Sequence, residues 1–357
     1  MDPRGFPTSL PEFQRVFPDD GACARYLESL RWPTGFTCPK CGWQGEPYRF
    51  AGRMGVLRCR SCQANISLTA GTVMEKSQSA LSTWFWGAYL ATTQTPGQSA
   101  LQFQRQLEIK RYEKAFVMLH KLRAGMVRSE RDSIGAEHPV EVDECLLGGR
   151  TRGEGRGVHH KATVVGAVEV RKRQDAQARA AKHRPEHDGG VPLKKLVYAG
   201  RLRLRVVDGR GTDRVETFVT ENVAKGSTVR TDGWQGYEGL GALGYAHEPI
   251  VLGGDHAKAD AHLPMIHIVF SNLKTWILGT HHGVSQQHLQ AYLNEYVFRF
   301  NRRFYPMTAF NSVLGLAVRA QAPTYAALYS GDWVHPAGQQ TTTVQQRARR
   351  NSSSSRG

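Results

Sequence analysis

The sequence predicts an α/β protein: a mixed sheet with flanking helices, preceded by a small cysteine-built ribbon and a helical region. Three observations predict it. Four of the six cysteines fall in two C-x-x-C pairs between residues 38 and 62. Three stretches of helical periodicity follow them, and from residue 138 the texture changes to β-rich segments interleaved with helical ones. The 357-residue chain has room for two or three cores. Its 47 Lys and Arg against 31 Asp and Glu leave it at +16, which calls for a polyanionic partner, nucleic acid or an anionic membrane surface. No apolar run approaches the roughly 18 residues a membrane span requires, so a span is excluded. The N-terminal stretch holds Pro3, Pro7, Pro11, Pro18, Asp19 and Asp20 and no apolar secretory segment. The expectation is a protein of a reducing compartment directed at nucleic acid, without a disulfide scaffold.

The first element is a short helix capped by Asp19 or Asp20, running to Ser29 or Leu30 and stopped before Trp32-Pro33. Next come Cys38-Pro39-Lys40-Cys41 and Cys59-Arg60-Ser61-Cys62, with 17 residues between the pairs. Two such turns place four thiolates around one tetrahedral zinc, and four thiolates leave no open position, so the zinc is structural. Gly42 after the first pair is free to take a positive φ; Gln63 stands at the matching place in the second. Tyr48, Phe50, Met54, Val56 and Leu57 supply a short hairpin between them. Cys23 and Cys145 lie outside the pattern and read as small apolar residues.

Helices are expected over 78–93, 98–107 and 110–125, broken by Thr95-Pro96-Gly97. Helix, tight turn with Gly, helix is a helix-turn-helix signature, and Arg105, Lys110, Arg111, Lys114 and Lys121 make it basic. A plain three-helix linker would show the same periodicity; the neighbouring ribbon tips the reading toward DNA.

Val140 to Leu147, residues 161–170 and residues 201–208 read as strands, 214–223 as a helix, and 228–233 as a strand ending in Asp232 before a glycine turn. Three strands, a helix, a strand ending in Asp and a further helix is the order of a ribonuclease-H-like sheet. Such a sheet places one acid on its first strand and another at the end of its fourth. Phosphodiester cleavage with divalent ions needs carboxylates distant in sequence to converge. Asp143 and Asp232 are the candidates; Glu144, on the strand's other face, is a weaker one. A third ligand is expected on a helix over 264–279, opened by Pro264 and closed by Gly279. There His267, Ser271 and Lys274 form a polar face beside the apolar stripe of Ile266, Val269, Phe270, Leu273 and Ile277. A ligand with a cation two turns on suits a DNA-cutting site. Glu295 could also supply a carboxylate, although an ion pair with Arg299 accounts for it better. His281-His282 and His159-His160 fit a histidine-pair nickase poorly.

The tracts VEVDECLLGG, GSTVRTDGWQGY and HIVFSNLKTWILGTHHGVSQQHLQAYLNEYVFRFNRR resemble transposases of the insertion-sequence-1595 family. So do RWPTGFTCPKCG and SALQFQRQL in the N-terminal part. The resemblance covers most of residues 10–320. It implies a DDE-type nuclease and strand transferase that acts on the terminal inverted repeats of its own element and joins the freed 3′-hydroxyl to target DNA. By position it makes Asp143 and Asp232 the two acids, puts His267 where many relatives carry Glu or Asn, and keeps Lys274 seven residues on. It implies Mg or Mn as the catalytic ion, double-stranded DNA as partner, a homo-oligomer on that DNA and a place on the nucleoid in the cytoplasm. The rival reading is a non-catalytic zinc-ribbon DNA-binding protein.

Arg150, Arg152, Arg156 and Lys161 lie in a glycine-rich loop after the first acid, suited to phosphate contact. Residues 171–196, with eight basic against three acidic side chains, read as a disordered insertion, and 338–357 as a disordered basic tail. The expected organisation is an N-terminal helix and zinc ribbon (1–75), a helical DNA-binding region (76–130), a catalytic domain (138–325) and the tail.

Overall fold

The computed structural model describes residues 7–128, 132–148, 161–172, 197–209, 211–250, 262–320 and 323–330. Arg150, Arg152, Arg156, the bulk of the expected insertion and the whole expected tail lie outside the described residues. The chain divides into two compact units, residues 1–130 with 302–357, and residues 131–301.

The first unit begins with α1 (Leu10–Val16), capped by Ser9, whose hydroxyl accepts from the Glu12 N–H. The Ser-Leu-Pro-Glu run has capping-box spacing with Pro in the first turn, a signal at residues 9–12 that the prolines of this stretch obscured. The Glu12 carboxylate accepts from the N–H of Thr8, one residue before the cap. Then comes α2 (Asp20–Arg31), where the Asp19 carboxylate accepts from Ala22 N–H at 2.8 Å. Strands β1 (Tyr48–Arg49), β2 (Val56–Arg58) and β3 (Asn65–Ser67) form an antiparallel three-stranded sheet, one strand more than the expected hairpin. Helices α3 (Leu81–Thr93), α4 (Ala100–Gln106) and α5 (Tyr112–Ala124) follow near the expected bounds.

Strands β4 (Val140–Leu147), β5 (Ala162–Lys172) and β6 (Val197–Val207) open the second unit, followed by α6 (Thr212–Asn222) and β7 (Thr228–Asp232). A 3-10 turn (Gln235–Leu240), β8 (Ala246–Ile250), α7 (Pro264–Trp276) and α8 (Gln286–Asn301) complete it. The strand order is β6-β5-β4-β7-β8. The first three are antiparallel, and β7 and β8 join parallel to β4 and to each other. This is the mixed ribonuclease-H-like sheet. One face packs Val164, Val168, Leu202 and Leu204 against α7 and α8; the other packs Val140, Val142, Val165 and Val229 against Val215, Phe218 and Val219 of α6.

Three details differ from the sequence reading. Strand β8 was not expected, because Pro249 and its polar neighbours hide a strand that sits at the sheet edge, where proline is tolerated. The helix opened by Pro264 does not stop at Gly279: α-helical bonding ends at Trp276 and a π-turn carries Ile277–His281. Arg171 and Lys172, assigned to the insertion, are the last residues of β5, paired with Tyr198 and Val197.

After Asn301 the chain returns to the first unit with α9 (Pro306–Ala317) and α10 (Tyr325–Ser330). Phe310 of α9 lies within 6.2 Å, ring to ring, of Phe13, Phe17, Phe85 and Tyr89. That aromatic cluster ties α9 to the first unit. Among the described residues no helix is long and apolar enough to cross a membrane.

Candidate functional site

The four cysteines of the ribbon come together. Their sulfurs all lie within 4.8 Å of one another, with Cys38–Cys62 and Cys41–Cys59 each at 3.7 Å. A tetrahedral site with zinc–sulfur bonds of about 2.3 Å has sulfurs about 3.8 Å apart, close to the two shortest separations here, so the donor set fits one zinc. Gly42 takes φ 72° as its position requires, and Gln63, its counterpart, takes φ 56°. The Gln63 side chain donates to Arg60 O at 2.9 Å, holding the turn that lacks a glycine. Burial raises the Cys38 thiol, but the N–H groups of Lys40 and Cys41 and the neighbouring thiols outweigh it and bring it to about 7. At Cys62 the pull of the Ala64 N–H is outweighed by burial and the neighbouring thiols, which push it up to about 11. Cys38 is thus the readier of the two to be the thiolate a metal needs. Cys23 and Cys145 are buried, and burial pushes both thiols up to about 12, as inert core residues.

In the second unit the acids are arranged by strand register. Val140 pairs with Val229 and Glu141 with Arg230 on parallel β4 and β7. Asp143 lies two residues beyond Glu141 and Asp232 two beyond Arg230, so alternation turns both to the same face of the sheet as that pair. Asp143 Oδ1 accepts from Glu144 N–H at 2.8 Å, and Asp232 Oδ1 from Trp234 N–H at 3.2 Å. Glu144 points to the opposite face, where Tyr237 O–H donates to it at 2.6 Å; burial first, and then this carboxylate, drives the tyrosine far above its ordinary range.

Helix α7 delivers the third residue. His267 Nε2 lies 3.2 Å from Asp143 Oδ2, both side chains largely shielded. Two features of the sheet bring the helix there. Gly166 of β5 pairs with Asp143, and a Cβ on it would stand 2.9 Å from Ile266 and Phe270, so α7 packs onto bare backbone. Glu141, two residues before Asp143, accepts from Met265 N–H at 2.8 Å and Ile266 N–H at 2.9 Å through one carboxylate oxygen. Burial raises Glu141 to about 6, partly offset by those two N–H groups, Arg230 and His267. Neither Glu141 nor Gly166 stood out in the sequence. A Glu with same-face spacing to the first acid was the available signal.

Lys274 is exposed on α7, two turns beyond His267. Lys161 is exposed at the start of β5, beside the end of β4. Glu295 is buried and meets Arg299 at 3.4 Å, the structural role its spacing suggested. His281 packs edge-on against Trp276 and Tyr292. Among the described residues the four cysteines are the only group of three or more donors closed to metal-binding distance. Asp143 and His267 meet as a pair, and Asp232 stands at the end of β7, the strand next to β4.

Comparison with known proteins defines the class first: residues 135–301 match the ISXO2-like transposase domain and residues 18–65 the transposase zinc-ribbon domain. Both matched domains are those of the insertion-sequence-1595 transposases, and the chain belongs to that family. A Halobacterium salinarum protein, described as an uncharacterized protein in transposable element ISH50, is 24% identical over 296 residues, spanning 80% of this chain and 92% of its own. No solved structure matches. The protein is a transposase with a structural zinc ribbon.

Proposed function

We propose that this transposase binds the terminal inverted repeats of its own insertion sequence, cleaves the ends, and joins the 3′-hydroxyl to target DNA. The observation that carries the reading is the meeting of Asp143 and His267 at 3.2 Å from elements far apart in the chain, with Asp232 at the end of the neighbouring strand. Two carboxylates and an imidazole are a donor set for divalent Mg or Mn, which when bound would lower the pKa of the attacking hydroxyl and offset charge on the phosphoryl oxygens. Asp143, Asp232 and His267 would hold those ions. Glu141 and Gly166 set the approach of α7. Lys274, exposed on the same helix, contacts the phosphates of the scissile strand, and Lys161 with Arg150, Arg152 and Arg156 contacts flanking backbone. Copies of the chain assemble on the DNA, so that the two element ends are processed together on the nucleoid.

The test is end cleavage with the duplex that flanks the gene. Asp143→Asn and Asp232→Asn should each abolish cleavage and leave end binding largely intact. Binding by the wild type without cleavage in either Mg²⁺ or Mn²⁺ would replace the proposal with a chain that binds ends but does not cut. Cleavage by both variants would move the site.

A further inference from the structure

We propose that a basic cleft in the first unit, walled by residues 76–79 and by the exposed side of α5, binds the phosphodiester backbone of one DNA strand at the element end. The inference rests on the end-binding role proposed above and assigns a place to it. The cleft encloses about 800 Å³, and Lys76, Ser77, Arg111, Lys114, Lys121 and Tyr325 line it. Four cations thus converge from two separate segments, against Glu113 as the one lining carboxylate. Lys114 and Lys121 are seven residues apart on α5, two turns along one side, about 10 Å at helical rise. Arg111 extends that row outward, and Lys76 faces it from the other wall.

The walls are built for an anion. Lys121 is half-buried, yet its ammonium donates to the carbonyl oxygen of Glu75 at 2.8 Å rather than to a carboxylate. Burial lowers its pKa, and Lys76 nearby lowers it further against the pull of Glu75. Holding an ammonium half out of water, with Glu75 offsetting its charge only in part, costs free energy that an anionic occupant would offset. Ser77 Oγ accepts from the indole N–H of Trp84 at 3.0 Å and from Ser79 N–H at 3.1 Å. With two donors already on that oxygen, its own proton is the group left to give outward. Trp84 is 2% exposed, so the hydroxyl is fixed by the core and does not have to be ordered on binding. At the mouth, the exposed ring of Tyr325 offers an apolar face to a sugar or base. Cations at helical intervals, a fixed hydroxyl and a flat ring suit a strand of alternating phosphate and sugar.

The experiment uses the full chain and a fluorescent duplex carrying the element end, with affinity measured across a salt series. Lys76→Ala with Arg111→Ala is compared with Arg15→Ala with Arg25→Ala. Both pairs are exposed and remove the same charge, but Arg15 and Arg25 do not line the cleft. The cleft pair should weaken binding about tenfold or more and flatten the log–log salt slope by about 1.8, at about 0.9 for each phosphate no longer neutralised. The control pair should change both far less. Ser77→Ala should weaken binding several-fold with little change in slope, because it removes a neutral donor. Equal effects from the two double variants would overturn the cleft and leave only diffuse charge. Tight binding of a mononucleotide to the wild type, with end binding unchanged in the cleft pair, would overturn it in favour of a small nucleotide. Salt-independent or absent DNA binding by the wild type would instead remove the end-binding role itself.

Discussion

Replacing Glu141 by Leu should loosen helix α7 from the sheet. In the structure one oxygen of this carboxylate, on a residue 1% exposed, takes the N–H groups of Met265 and Ile266 at 2.8 and 2.9 Å. These are first-turn amides of a helix with no side-chain cap of its own, so Glu141 caps α7 from a strand. Leucine preserves the volume and removes the acceptor. Each buried donor left unpaired costs about 1–3 kcal/mol, and loss of an N-cap alone costs about 0.5–2 kcal/mol. Some relaxation of the first turn recovers part of this, so the expected destabilisation of the second unit is about 2–5 kcal/mol. Glutamine keeps an oxygen in the same place and should cost within about 1 kcal/mol. Hydrogen–deuterium exchange over residues 262–276 measures the local opening directly: Glu141→Leu should exchange about thirtyfold faster or more there, and Glu141→Gln nearly as the wild type. End cleavage should follow the same ranking, since His267 is the residue after Ile266, while end binding stays level. Unchanged protection in Glu141→Leu would refute the cap, and Gln as damaging as Leu would show that the charge, not the acceptor, matters.

Other outcomes follow from particular groups. Elemental analysis should find about one zinc per chain, and Cys38→Ser with Cys59→Ser should remove it and unfold the ribbon; full zinc content in that variant would exclude the four-cysteine site. Glu169 is pushed up by burial, but Arg201, Arg171 and the N–H groups of Arg201 and Gly135 outweigh this and hold it at about 2. Its folded pKa lies below the ordinary value of 4.5, so it contributes stability above about pH 4.5 that disappears as pH falls toward 2, up to about 3 kcal/mol. Glu169→Gln should flatten the acid limb of a stability–pH profile. Imidazole in place of a carboxylate favours first-row ions over magnesium, so cleavage should be faster in Mn²⁺ than in Mg²⁺, and His267→Glu should narrow the gap. His267→Ala cleaving at the wild-type rate would remove the histidine from the site.

Features whose physical signal is local could be read from the residues directly. Two C-x-x-C turns specify a four-thiolate cluster because each turn sets two sulfurs by its own backbone, and the folded chain only brings the two turns face to face. The order of strands and helices around Asp143 and Asp232 was legible because alternation and helical spacing are written in neighbouring residues. Strand β8 was not, since an edge strand with Pro249 pairs on one side alone and needs no apolar alternation. The position of α7 came from folding in three dimensions. It depends on Gly166, a residue with no side chain to signal anything, and on a Glu141 carboxylate that reaches amides more than a hundred positions away. Folding likewise set Lys76 and Ser77 opposite Lys114 and Lys121 across one cleft, and returned Phe310 to the rings of Phe13 and Phe85. Contacts of this kind arise from packing between distant segments, and periodicity within a single segment carries no record of them.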